Sequence, residues 1–183
     1  MRNSLRIIGG EWRSRQITFD DAPGLRPTPA RVRETLFNWL QADVGHSRCL
    51  DLFAGSGALG FEAASRGAKS VLQVESNAQS CRQLRDNAER LDARRLRVVQ
   101  ADVLSFLAEC EESFDLVFLD PPFGQGLILE TCRRLQHGVL LAPYAKIYIE
   151  AERVFVWEGL PSEWRLLKQK TAGDVGYALF QRT

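Results

Sequence analysis

The sequence predicts an α/β protein with a Rossmann-like, mostly parallel, doubly wound sheet, and three observations carry that reading. After Gly45, short apolar runs alternate with segments of helical length, the pattern of a sheet with helices on both faces. One run, Leu116-Val117-Phe118-Leu119, is apolar without a break, as in a strand buried on both sides. A turn with Gly55, Gly57 and Gly60 follows the first of these strands and opens a helix, the context in which a G-x-G-x-x-G spacing has meaning.

The elements follow in order. Residues 5–19 set Ile7, Ile8, Trp12, Ile17 and Phe19 among arginines and Gly9-Gly10. This predicts a short β-hairpin turning near the glycines or just beyond Trp12. Residues 20–29, rich in Pro, Gly and Asp, read as a loop. Val32, Leu36, Phe37, Trp39 and Leu40 then recur at helical spacing, with Thr28 as the expected N-cap and Pro29 in the first turn. The chain therefore divides into an N-terminal hairpin extension, 1–27, and a main domain, 28–183. Strands are predicted over 49–53, 70–75, 96–100, 114–119 and 146–150, with helices over 58–66, 78–91, 103–110 and 126–137. Residues 164–170 and 175–182 flank Ala172-Gly173-Asp174 and predict a C-terminal antiparallel hairpin.

Composition narrows the function. At 183 residues, 45% hydrophobic and 26% charged, the chain is long enough for one well-cored domain and too apolar for bulk disorder. No run approaches the ~20 apolar residues of a membrane span, and the first residues lack the apolar core of a secretory signal. A cytoplasmic location, away from membranes, is expected. Cys49, Cys81, Cys110 and Cys132 lie far apart, with only His46 and His137 to join them. No zinc spacing results, so reduced core thiols and no metal are expected.

The net charge of +1 hides an uneven distribution. Arg2, Arg6, Arg13, Arg15, Arg26, Arg31 and Arg33 crowd the first 33 residues against Glu11, Asp20 and Asp21. A second basic run extends from Arg82 to Arg97. Arginine makes bidentate phosphate contacts and stacks on bases, but such a run is equally a solvated face. Composition alone leaves nucleic-acid binding open.

The glycine turn is a ligand loop by its context. Glu75 ends the next strand at the distance of a ribose-binding acid. Alone, this fits a dinucleotide or S-adenosylmethionine equally. Two details lean toward the second. Asp51 sits inside the strand end, where a carboxylate repels a pyrophosphate but can meet the ammonium of a methionine moiety. Asp102 follows the third strand, where it can accept from an adenine amino group or cap the next helix. Phe53, Ser56, Ser76 and Val103 complete the expected cofactor contacts, with Asp120 at their edge.

Asp120-Pro121-Pro122-Phe123 is the most specific motif. It ends a buried strand, and its two prolines remove N–H donors and fix the backbone. An exocyclic amino nitrogen is a poor nucleophile because its lone pair is delocalised. Asp120 and the Pro121 carbonyl can bind its hydrogens, while Phe123 stacks on the base. Catalysis is then positioning plus electrostatics.

The Asp-Pro-Pro-Phe motif and the Asp51–Gly60 run, D-L-F-A-G-S-G-A-L-G, resemble methyltransferases acting on base amino groups. The N-terminal runs R-I-I-G-G-E-W-R-S-R and L-R-P-T-P-A-R-V-R-E-T-L-F-N-W-L resemble the RsmD family, bacterial 16S rRNA guanine-N2 methyltransferases. The resemblance covers nearly the whole chain. It implies an S-adenosylmethionine-dependent methyltransferase fold whose hairpin grips RNA, with guanine 966 of 16S rRNA as acceptor. It implies Asp120, Pro121, Pro122 and Phe123 at the target amine, and Arg6, Arg13, Arg15, Arg26, Arg31 and Arg33 toward RNA. The substrate would be 16S rRNA within an assembling or assembled 30S particle, and the enzyme a monomer. Rival readings are adenine N6, cytosine N4 or a glutamine side chain as acceptor, a nicotinamide-dependent oxidoreductase, and a silent RNA-binding module.

Overall fold

The computed structural model describes residues 2–183. Met1 and the Arg2 side chain lie outside the described part. Two antiparallel strands, β1 (Arg2–Arg6) and β2 (Gln16–Asp20), open the chain. Their connection is a wide loop closed by Ile7 and Ser14, whose Ser14 N–H donates to Ile7 O at 2.8 Å. Gly10 passes against the last turn of α2 (Ala58–Ser65), where a Cβ would lie 1.9 Å from Ser65 O. Only glycine fits there, and its φ of +80° adds to that requirement.

α1 (Ala30–Trp39) buries Val32, Leu36 and Phe37 at the spacing the sequence predicted. Its start differs. Pro29 occupies the cap with no side-chain hydrogen bond, and the Thr28 hydroxyl turns inward to the sheet instead of capping the helix.

The seven-stranded sheet comprises β3 (Arg48–Leu52), β4 (Ser70–Glu75), β5 (Leu96–Gln100), β6 (Phe114–Leu119), β7 (Leu141–Glu152), β8 (Trp164–Ala172) and β9 (Val175–Arg182), in the order β5-β4-β3-β6-β7-β9-β8. β3 to β7 pair in parallel, and β9 lies antiparallel between β7 and β8. The expected doubly wound sheet and C-terminal hairpin are both present, with the second arm of the hairpin inside the sheet. The helices α3 (Ala78–Arg90), α4 (Val103–Glu109) and α5 (Leu127–His137) complete the layers.

Each face of the sheet has its own core. Leu116, Phe118 and Tyr148 point to the side that holds Ile7, Trp12, Phe37, Phe61 and Leu84. Val117, Leu119 and Ile147 point to the side of Leu107, Cys132 and Leu135. Period-two alternation along each strand thus serves two apolar layers, each large side chain contributing about 1.5–3 kcal/mol by leaving water. Ile7, Trp12 and Ile17 are buried in the first layer, so the hairpin is packed into the body. Trp12, at 4% exposure, pins the hairpin and is not free to stack on a base.

Leu52 pairs with Val74 and with Leu119, Glu75 with Gln100, and Leu119 with Ile149. The carboxyl ends of β3 to β7 therefore lie along one edge. The order reverses between β3 and β6, the switch point at which open α/β sheets form a ligand crevice. No described helix is long and apolar enough to cross a membrane.

Candidate active site

The loop after β3 is strained as ligand loops often are. Phe53 (φ +60°), Gly55 (φ +55°) and Gly57 (φ +83°) all occupy the left-handed region, costly for Phe53 and free for glycine. Gly57 is the N-cap of α2. Beneath it, Asp51 Oδ2 accepts from Gly60 N–H and from Gln73 Nε2, each at 3.0 Å. A Cβ at Gly60 would lie 2.3 Å from Gln73 Nε2, so only glycine permits this approach. Asp51 is 2% exposed, and burial pushes its carboxyl up to about 7. Its Oδ2 thus supports the loop from inside. Ser56 is buried in the turn.

Glu75 is partly exposed at the end of β4. Its Oε2 accepts from Gly55 N–H and its Oε1 from Asn77 N–H, both at 2.8 Å. It ties the two turns together, and each oxygen keeps a further lone pair for a ligand hydroxyl. Ser76 is exposed beside it. Asp102 is exposed and caps α4, with Oδ2 accepting from Ser105 N–H at 3.0 Å, while Val103 is buried behind it. The loop before α1 closes over this edge. A Cβ on Gly55 would meet Leu25 Cδ1 at 2.7 Å.

Asp120-Pro121-Pro122-Phe123 leaves β6 at the same edge. Asp120 is partly exposed, Pro121 buried and Pro122 exposed, and Phe123 presents 39% of its surface. Behind Asp120 stands Glu150, a residue the sequence reading did not single out. Glu150 Oε1 accepts from the Thr28 hydroxyl at 2.8 Å and from the Tyr148 hydroxyl at 2.9 Å. Thr28 Oγ1 also lies 3.4 Å from Asp120 Oδ2, so one hydroxyl stands between the two carboxyl groups. Burial first, and the Glu150 charge second, lift Asp120 well above the carboxylate range. Burial raises Glu150 as well. A signal for Glu150 was present, for the predicted strand 146–150 closes on it as the predicted strand 70–75 closes on Glu75.

Of the expected RNA-facing arginines, Arg6, Arg13, Arg15, Arg26 and Arg31 are exposed. Arg6 and Arg13 border an open hollow of about 630 Å³ that reaches Pro27, Thr28 and Pro29, and so connects the hairpin to the floor of the site. Arg15 Nη2 donates to Arg90 O at 3.2 Å. Arg33 departs from its expected place. It is 3% exposed and donates to Thr28 O, Arg6 O and Glu62. Its guanidinium holds protein together and is not presented to a nucleic acid.

The family model described as Conserved hypothetical protein 95 matches residues 5–181. Over 178 residues the chain is 47% identical to the ribosomal RNA small subunit methyltransferase D of Escherichia coli (strain K12), covering 97% of this chain and 90% of that protein. The protein of the same name from Haemophilus influenzae is 43% identical over 184 residues, covering 98% and 95%. The solved structure of YhhF from Escherichia coli superposes with a TM-score of 0.89 at 46% identity, covering 98% of each chain. SMU.776, solved in complex with SAH, shares the fold alone, with a TM-score of 0.74 at 15% identity over 91% of this chain and 53% of that one.

Proposed function

The chain belongs to the RsmD family, and from that premise we propose that it transfers a methyl group from S-adenosylmethionine to the N2 amino group of a guanine in 16S rRNA. The acceptor by this reading is guanine 966, presented within an assembling or assembled 30S particle to a cytoplasmic, monomeric enzyme. The observation that carries the reading is one edge of the sheet. Asp-Pro-Pro-Phe at the end of β6 lies beside the strained glycine turn after β3 and the acid at the end of β4.

The residues on that edge fit S-adenosylmethionine. Glu75 has lone pairs for two ribose hydroxyls, Asp102 can accept from an adenine amino group, and positive-φ Gly55 and Gly57 let the backbone approach the ligand. When bound, the cofactor supplies a methyl group on a cationic sulfur. The protein supplies placement. Asp120 and the Pro121 carbonyl bind the amine hydrogens and turn its lone pair outward. Phe123 stacks on a base withdrawn from its RNA stack. Arg6 and Arg13, along the hollow leading to Thr28, hold the phosphates that bring it there.

The test is methyl transfer from labelled S-adenosylmethionine to small-subunit RNA, naked and as protein-bound particles, followed by nucleoside analysis. Labelled N2-methylguanine is the expected product. Label in N6-methyladenine or N4-methylcytosine would reassign the acceptor.

A further inference from the structure

β7 runs beside β6 with Leu119 opposite Ile149, so Asp120 and Glu150 leave the two strands side by side. The Thr28 hydroxyl lies 2.8 Å from Glu150 Oε1 and 3.4 Å from Asp120 Oδ2 but has one hydrogen to give, and two like charges this close in a buried site do not both ionise, so the pair holds a proton. Glu150 accepts two hydrogen bonds, from Thr28 and Tyr148, and all three side chains are buried. Those donors favour Glu150 as the anion of the pair and leave the proton on Asp120. Asp120 is the less buried member of the pair. The outer carboxyl therefore carries a proton, while the inner one is ionised.

An amine that gains a methyl group must lose a proton, and a protonated Asp120 can take it only by giving up its own. Resting on the reaction given above, we propose that Glu150 is the proton acceptor of the reaction, acting through Asp120. The nitrogen lone pair forms the new N–C bond, and the electrons of the broken C–S bond stay on sulfur. The methylated nitrogen releases a proton to the outer oxygen of Asp120 as the proton on the inner oxygen passes to Glu150. One proton leaves nitrogen and one arrives on Glu150. Glu150 touches no substrate and is a positioning residue.

The surrounding groups suit this role. Asp51 on β3 disfavours a second negative charge at Asp120. Tyr148 on β7 is held in its neutral, donating form by burial and by Glu150. Tyr177 on β9 lies opposite Glu150 in register and packs on Tyr148. Arg33 on α1 turns to the Thr28 carbonyl and Glu62, away from the acid pair.

Glu150→Gln tests the proposal because it keeps an oxygen for Thr28 and Tyr148 but takes no proton. The expected result is a kcat lower by roughly 10²-fold, with the Kd for S-adenosylmethionine and the KM for RNA within about twofold of wild type. Tyr148→Phe removes a donor from Glu150, so the pair should take its second proton more readily. The acid limb of kcat, and the carboxyl titration followed by ¹³C NMR without S-adenosylmethionine, should both move to higher pH. Near-normal kcat in Glu150→Gln, or an unmoved limb and titration in Tyr148→Phe, overturns the relay. A wild-type chain that transfers no methyl group to RNA overturns the proposed function first and the relay with it.

Discussion

Arg33 and Glu62 face each other at 3.4 Å with side chains 4% and 0% exposed. Glu62 also accepts from the backbone N–H groups of Ile8 and Gly9, at 3.0 and 2.9 Å, and from Arg66 at 2.9 Å. One carboxylate on α2 thus joins the hairpin loop, α1 and its own helix. Such a pair contributes little net stability, but removing one member strands the other in a dry site.

Glu62→Ala should therefore lower unfolding stability by about 3–5 kcal/mol, read by urea denaturation. A loss below about 1 kcal/mol, the level of an exposed pair, would show that the guanidinium finds water instead.

Asp120→Asn should cost roughly 10²-fold or more in kcat, since an amide cannot take up the proton that the methylated amine must lose. The Kd for S-adenosylmethionine should hardly change by calorimetry. Near-normal turnover would refute the role given to this carboxyl.

Glu75→Ala should weaken S-adenosylmethionine binding. A hydroxyl bound to a charged acceptor contributes about 1.5–3 kcal/mol, and the mutation also frees the Gly55 N–H that Glu75 holds at 2.8 Å. Unchanged affinity, or tighter binding of a nicotinamide cofactor, would reassign the loop.

Arg6→Ala with Arg13→Ala should weaken RNA binding and flatten its salt dependence by about 0.7–0.9 in log–log slope per lost phosphate contact. Both side chains are exposed along the hollow, so melting temperature should stay nearly fixed. A falling melting temperature with unchanged RNA affinity would make these arginines structural.

Stability should also depend on pH through Asp51, whose folded carboxyl titrates at about 7 against roughly 4 when unfolded. A raised folded value gives stability that is whole below the unfolded value and lost as pH rises through the folded one. Asp51→Asn should flatten the fall in unfolding free energy between about pH 4 and 7. Asp120 and Glu150, raised in the same direction, leave part of the slope in place. An identical slope in the variant would move the titration elsewhere.

Much of this was legible in the sequence because it is local. Unbroken apolar runs marked the buried strands, and the glycine turn and Asp-Pro-Pro-Phe marked the ligand edge. What escaped was set by partners far along the chain. Thr28 looked like a cap, but its hydroxyl is taken by Glu150, 122 residues away. Arg33 matched its arginine neighbours in composition, yet α1 turns it inward to Glu62. Asp51 showed its charge and not its depth. Glu150 became meaningful only once the strand order set β7 beside β6.

The position of β9 bears on the order in which the molecule can be made. Synthesis delivers β7 and β8 before β9, yet β9 lies between them and pairs with both. A nascent chain that has emerged only through β8 thus carries a strand edge along β7 with no neighbour, the kind of edge that recruits other chains. It also lacks Tyr177, which packs on Tyr148 behind the acid pair. Ribosome-bound chains stalled before Val175 should therefore be protease-sensitive along β7, and protection should arrive in a single step as residues 175–182 clear the exit tunnel.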